Sequence, residues 1–373
     1  MGHSLQKKLQ LNKFLLVLVL VGFALITTYS FLLHENVTTE ASPSSPVQHI
    51  MFLKTHKCAS SSVQNMFLRY AYNHNLTLAL PASLNYLGNP LLFQSGFIPK
   101  PLLPSKGVVD IFAVHSRLNL PEHRKVLHPD SVFITVVRDP VNLFESLYNY
   151  FYLKYYYDLT LAQYMELPFG SQFDMYRAAE KFGPDMMLFD LGYTVKANTT
   201  DREFTEIINE VDKIFDLVMI AERIDESLIL MKKLLNWEYE DIVFYNKNAR
   251  RRSYKQKLTQ KLREKIRKLN KGDQLLYDHF LLRHEEAVRN YGTEKMAEEV
   301  ELLRVARDDI FGQCKMKKFE GRPPNKIFQE YSILVETFTI EDLTDENCLM
   351  LSLPELQLLD FVRAYQTKML KNT

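Results

Sequence analysis

Apolar and polar positions fall along this chain in blocks that predict a short list of elements. Residues 50–53 (IMFL) form a four-residue apolar run that fits a buried parallel strand. A polar stretch follows at once, KTHKCASSS over 54–62, and then Val63, Met66, Phe67 and Tyr70 recur at helical spacing with Ser60, Ser61 and Ser62 as expected N-caps. Two further apolar runs, 110–114 (DIFAV) and 132–137 (VFITVV), end directly at His115 and Arg138. Asp139-Pro140 then predicts a turn and a helix over 141–157. A fourth strand is expected at 217–221 (LVMIA), with a helix over 225–235 behind it. Strands with polar residues at their C-terminal ends, separated by helical stretches, predict an α/β fold with a central parallel sheet flanked by helices. Ligands in such folds sit beyond the C-terminal strand ends, where Lys57, His115 and Arg138 all fall.

The rest of the pattern divides the chain. Residues 14–33 form a run of 20 without a charge, long enough to span a bilayer, after Lys7, Lys8 and Lys13 and before Glu35 and Glu40. The positive-inside rule then predicts a cytosolic tail over 1–13, a transmembrane signal anchor over 14–33, and a lumenal remainder. The alternative, a cleaved signal peptide, usually has a shorter apolar region and a small-residue cleavage site. Residues 34–47, polar and proline-containing, read as a flexible stem. A globular domain is expected over 48–310 and a C-terminal extension, packed on or near it, over 311–373. Within the domain, residues 80–106 hold five prolines and two glycines and should be largely irregular. The basic stretch 247–271 reads as a solvated helix face, with Arg250 a candidate for the site. An amphipathic stretch over 355–370 closes the chain.

Composition narrows the partners. Lysine plus arginine (46) nearly balances aspartate plus glutamate (45), so no global basic surface argues for nucleic acid, and an anion site must come from local arrangement. Three cysteines make neither a disulfide scaffold nor a metal-ligand cluster. Cys58 is expected to be a free thiol, while Cys314 and Cys348 are either a pair in an oxidising compartment or two separate thiols. Three sequons, at Asn36, Asn75 and Asn198, fit a lumenal body.

Strand, polar loop and helix start together aim backbone N–H groups and the positive end of a helix dipole at one spot, which suits phosphate or sulfate. Lys54, Lys57 and three serine hydroxyls reinforce that spot. It is not a nucleotide-triphosphate loop: no glycine lies between Gly22 and Gly88, the lysine precedes the small residues, and the strand at 132–137 ends in Arg138 rather than a magnesium carboxylate. The plain alternative is a capped helix with solvated lysines.

The order KTHKCASSS, a strand ending in His115, FITVVRDP with LFES, and AERIDESLILMKKLLNWE with the following NAR resembles the Golgi carbohydrate sulfotransferases, and more narrowly the galactose 3-O-sulfotransferase family. The resemblance covers about residues 49–300. It implies a P-loop-type sulfotransferase fold, residence in the Golgi membrane, and 3′-phosphoadenosine 5′-phosphosulfate as sulfate donor, with no metal expected. The implied acceptor is a galactose-terminated glycolipid, such as galactosylceramide, or a glycoprotein glycan. On that resemblance the donor would contact Lys54, Thr55, His56, Lys57, Cys58, Ala59, Ser60, Ser61 and Ser62, and its 3′-phosphate would meet Arg138 and Ser146, eight positions apart. Lys57 would stabilise the departing phosphate, with Lys54 as second candidate, and His115 would be the base, with His56 as its competitor. Cys58 stands where many members carry threonine. The segment 63–81 looks closer to the glycoprotein-type members than to the glycolipid-type one. The other readings are a sulfotransferase for a different sugar or position and a tethered binding protein without catalysis.

Overall fold

The computed structural model describes residues 45–245, 257–330, 332 and 335–372. Four strands form the central sheet: β1 (Ile50–Leu53), β2 (Ile111–Phe112), β3 (Val132–Val137) and β4 (Leu217–Ile220). Their order is β2-β1-β3-β4 and every pairing is parallel, with Ile50 opposite Ile111 and Val132, and Ile134 opposite Leu217. All four β1 residues are fully buried, as a strand covered on both faces requires. The chain moves outward from β1 in both directions, so the reversal lies at β1, the position where an open α/β sheet leaves a crevice at its C-terminal edge.

Helix Ser60–Asn73 covers β1 and buries Val63, Met66, Phe67 and Tyr70; Tyr70 stacks on Trp237 at 3.8 Å. Helix Asp201–Ile214 precedes β4, and helix Ile224–Leu235 follows it. The long helices Lys271–Tyr291 and Thr293–Gln313 complete the helical layers. Gly272 is needed where it stands, because a Cβ there would come within 2.5 Å of Leu188 and Phe204.

One local expectation changes and another gains a detail. The helix expected over 141–157 is broken: helix Pro140–Tyr150 ends at Phe151, Tyr152 adopts a left-handed conformation (φ 53°), and a new turn runs over Leu153–Tyr157. The break follows from side-chain packing, since Phe151 turns to stack on Phe182 at 3.7 Å. Residues 80–106 are mostly irregular, but they run along the chain that leaves β2, with Leu78, Tyr86 and Leu92 bridging in parallel to Ile111, His115 and Arg117. Backbone bonds from Leu87 N to His115 O and from His115 N to Asn85 O fasten that register.

The described residues from 46 to 372 belong to one compact unit, so the described part of the C-terminal extension belongs to the globular body. Strands β5 (Lys317–Glu320) and β6 (Glu336–Thr339) pair antiparallel, and helices Glu346–Ser352 and Glu355–Lys371 pack on helix Ser60–Asn73. Cys314 and Cys348 form a disulfide, which resolves the open pairing. Cys58 is free and buried. Asn75 and Asn198 are exposed. Asn36, the run 14–33 and Arg250 lie outside the described residues, and no helix among the described residues is long and apolar enough to cross a membrane.

Candidate active site

The loop between β1 and helix Ser60–Asn73 contains no glycine, yet it bends through two left-handed residues, Lys57 (φ 57°) and Ala59 (φ 60°). Each costs about 1–2 kcal/mol relative to right-handed backbone. Left-handed residues in such a loop turn N–H groups toward its inside, the geometry of an anion nest. Ser60, Ser61 and Ser62, expected as N-caps, lie instead in the first turn; Ala59 is the N-cap and no side chain caps this helix. The hydroxyls have other partners: Ser60 Oγ donates to Thr55 O, and Ser61 Oγ donates to Glu355 Oε2 at 2.6 Å.

A cavity of about 750 Å³ opens over this loop and is lined by Lys54, His56, Lys57, Ala59, Ser60, Ser61 and Ser62. His115, Arg138 and Ser146 line the same cavity. Thr55 and Cys58, expected among the contacts, are turned into the core: Thr55 Oγ1 donates to Val136 O, and the Cys58 thiol is fully buried and donates to His56 O. Burial pushes that thiol pKa far up, so Cys58 is inert. β3 places Arg138 at its end, where Nη1 donates to Lys57 O at 2.6 Å and Nε lies 3.9 Å from Glu222. Lys57 Nζ sits 3.4 Å from the centroid of the Tyr150 ring.

Two histidines stack in the cavity, His56 on His115, with ring centroids 4.2 Å apart. His115 Nδ1 lies 3.0 Å from Lys54 O, which can only accept, so Nδ1 carries the proton and Nε2 accepts from Lys54 Nζ at 3.0 Å. Burial first, and then the charges of Lys54 and His56, hold its pKa well below the ordinary histidine value. His56 is arranged differently. Its Nδ1 faces Asp190 Oδ1 at 2.8 Å, its backbone N–H donates to Asp190 Oδ2 at 2.7 Å, and its Nε2 lies 3.1 Å from the Tyr86 hydroxyl. A carboxylate on one ring nitrogen leaves the other as the basic atom.

Asp190, Tyr86, Asn85, Lys181 and Glu355 were not identified from the sequence. Asp190 ends helix Met186–Asp190, whose first N–H groups, on Met187 and Leu188, donate to the buried Asp273 at 3.0 Å. An acid inside the apolar run MMLFDL was the available signal. Tyr86 arrives on the bridge to His115, and Lys181 Nζ lies 4.1 Å over its ring. Glu355 comes from the C-terminal helix. Its Oε1 accepts from Asn85 Nδ2 at 2.6 Å, and its Oε2 accepts from Ser61 and lies 3.4 Å from Lys54 Nζ. Burial opposes its charge, but Lys54, Asn85 and Ser61 prevail and hold its pKa below the ordinary value. The Ser61 hydroxyl and the Lys54 ammonium beside the loop therefore already hold one anionic group.

At the opposite end of the sheet, His49, Asp110 and His128 bring ligand-type atoms within 4.8 Å of one another. The two rings stack 3.8 Å apart and are nearly parallel (9°). Parallel imidazoles cannot both direct an in-plane lone pair at one ion, so the cluster is a charge network, with Asp130 accepting from His49.

A family model described as galactose-3-O-sulfotransferase matches residues 2–332. Galactosylceramide sulfotransferase from Bos taurus is 34% identical over 284 residues, covering 74% of this chain and 66%, just under two thirds, of that protein. Galactose-3-O-sulfotransferase 2 from Homo sapiens is 32% identical over 312 residues, 80% of this chain and 77% of the relative. Galactose-3-O-sulfotransferase 3 from Mus musculus is 29% identical over 356 residues, 88% and 80% respectively.

Proposed function

This chain belongs to the galactose-3-O-sulfotransferase family, and from that premise we propose that it transfers sulfate from 3′-phosphoadenosine 5′-phosphosulfate to the 3-hydroxyl of a terminal β-galactose. The acceptor on this reading is galactosylceramide, which one group of relatives is named for, or a galactose-terminated glycoprotein glycan. The observation that carries the reading is the convergence of Lys57, the loop residues 59–62, Arg138, Ser146 and the stacked histidines on one cavity. The donor supplies a sulfuryl group on a phosphate leaving group. The nest, with the backbone N–H groups of Ser60 and Ser61, and Lys57 bind the anionic end of that donor, and Arg138 with Ser146 takes its 3′-phosphate, where a planar guanidinium fork suits phosphate.

A ring nitrogen removes the proton of the galactose 3-hydroxyl as its oxygen bonds to sulfur. The bond from sulfur to the bridging oxygen breaks, its electron pair stays on the phosphate, and the Lys57 ammonium offsets that charge. His115 is one candidate base. A specific arrangement favours His56: Asp190 holds Nδ1 and Nε2 faces the neutral Tyr86 hydroxyl, while the Nε2 of His115 faces the Lys54 ammonium, which disfavours taking up a proton there. The transfer reaction needs no metal on this mechanism.

We further propose a single-pass type II protein of the Golgi membrane, anchored by residues 14–33 with the catalytic body in the lumen. The Cys314–Cys348 disulfide and the exposed Asn75 and Asn198 sequons support a secretory compartment. The test is a transfer assay with labelled donor on galactosylceramide, a Galβ1-4GlcNAc glycan and a Galβ1-3 core glycan, with product mapping. Label on the galactose 3-position is expected. Donor binding without transfer to any of them would overturn the acceptor assignment, and a folded chain that binds no donor would overturn the whole reading.

A further inference from the structure

The family match ends at residue 332, yet the segment beyond it enters the cavity. Helix Glu355–Lys371 is fixed along its length by buried contacts. Gln366 Oε1 accepts from Leu78 N at 2.7 Å, and its Nε2 donates to Leu78 O and Leu102 O. Arg363 donates to Pro81 O and Leu84 O, and Met350 O, one helix earlier, accepts from Asn65 Nδ2 at 2.9 Å. The disulfide ties the same segment to the end of helix Thr293–Gln313. With this helix held so firmly, its first residue, Glu355, is delivered to the anion loop as a fixed group.

We propose that Glu355 is a positioning residue of the transfer site: its carboxylate holds the Lys54 ammonium between Ser61 and His115, so that a second positive charge stands beside the anion loop. The proposal rests on the function proposed above. Among the described residues Lys54 Nζ has three hydrogen-bonding neighbours, Ser61 Oγ at 3.1 Å, His115 Nε2 at 3.0 Å and Glu355 Oε2 at 3.4 Å, and of these Glu355 carries the negative charge. Lys54 is fully buried, and a lysine in that position sheds its proton unless a counter-charge offsets the lost hydration. Burial does lower its pKa, and Glu355 is the largest influence acting the other way. The remaining charged or titratable groups around the pair are His115, His56 with Asp190, Cys58, Lys181 and Glu330. Asp190 adds attraction, but its carboxylate is committed to His56.

Glu355→Gln keeps the shape and an acceptor for Asn85 while removing the charge. In the full chain, the expected result is an alkaline limb of kcat moved down by about one pH unit, so that transfer above it, relative to each protein's own acid-side plateau, falls about tenfold further than in the wild type. Glu355→Asp should restore part of the difference. A kcat profile that superimposes on the wild type, or a uniform loss at every pH accompanied by a lower Tm, would overturn the proposal. A separate readout is the titration of Lys54 followed by NMR in protein carrying [6-13C]lysine, assigned by its loss in Lys54→Arg. A lower Lys54 pKa in Glu355→Gln is expected, and an unchanged one overturns the inference. Because this titration needs no turnover, it decides the Glu355 role even if the wild-type chain proves to transfer no sulfate.

Discussion

At the C-terminal ends of the strands, His56 and His115 stack, lie buried, and are tied to Asp190 and Lys54; at the N-terminal ends, His49 and His128 stack, lie half-buried, and are tied to Asp130 and Asp110. The residue types are the same and the sheet is the same. Solvent is the difference. Around His49 and His128 water screens each pair, so the cluster is worth little beyond local order. Around His56 and His115 the cavity walls displace water, so hydrogen bonds set tautomers and a neighbouring ammonium moves a pKa. A histidine next to a carboxylate is therefore informative about chemistry only when its surroundings are dry.

The largest effect expected from breaking the C-terminal cluster is at Lys57. Lys57→Ala should lower kcat by about 10²–10³-fold or more with the fold intact; unchanged turnover would shift the leaving-group role to Lys54. Next come the histidines. His56→Ala should cut turnover by about 10²–10⁴-fold with donor binding retained, and His115→Ala should cut it less if Asp190 marks the true base. The reverse order in a side-by-side rate measurement would return that role to His115. Arg138→Ala should then weaken donor binding by about 10–100-fold, the worth of a charge-assisted phosphate contact; an unaltered donor dissociation constant would reject the 3′-phosphate assignment.

A smaller effect is pH-dependent stability. His115 and His123 are both buried with pKa values lowered chiefly by burial, that of His123 to about 4. The unfolded chain binds protons at these rings from about pH 6.5 downward while the native state resists, so stability is lost as pH falls through that window. For His123 the loss is about 3 kcal/mol by pH 4, measurable as a falling urea midpoint; a flat midpoint between pH 7 and 4.5 would contradict it. At the bottom of the scale, His128→Gln at the wet end of the sheet should leave transfer unchanged and cost at most about 1 kcal/mol.

How much of this was legible beforehand depends on sequence distance. β1, β3 and the groups at their ends could be read because strand, loop and helix start are consecutive, and the pattern that buries Ile50–Leu53 also aims Lys57 and Arg138. The serines could be assigned to the loop but not to their roles, because Ser61 turns to an acid 294 residues away. Asp190 and Glu355 reach the site from 134 and 301 positions beyond His56 and Lys54. Only tertiary packing supplies those contacts, and no periodicity encodes them. The broken helix at Tyr152 was hidden for a similar reason: the preference of Phe151 for Phe182 overrides a helical pattern that is locally sound.

The Cys314–Cys348 link has a practical consequence at the bench. Protein made in a reducing host would carry the same sequence without that staple, and the helix bearing Glu355 would lose one of its tethers. A preparation of that kind could be soluble, well expressed and nearly silent in an assay. The oxidation state of the batch should therefore be recorded before any variant is scored.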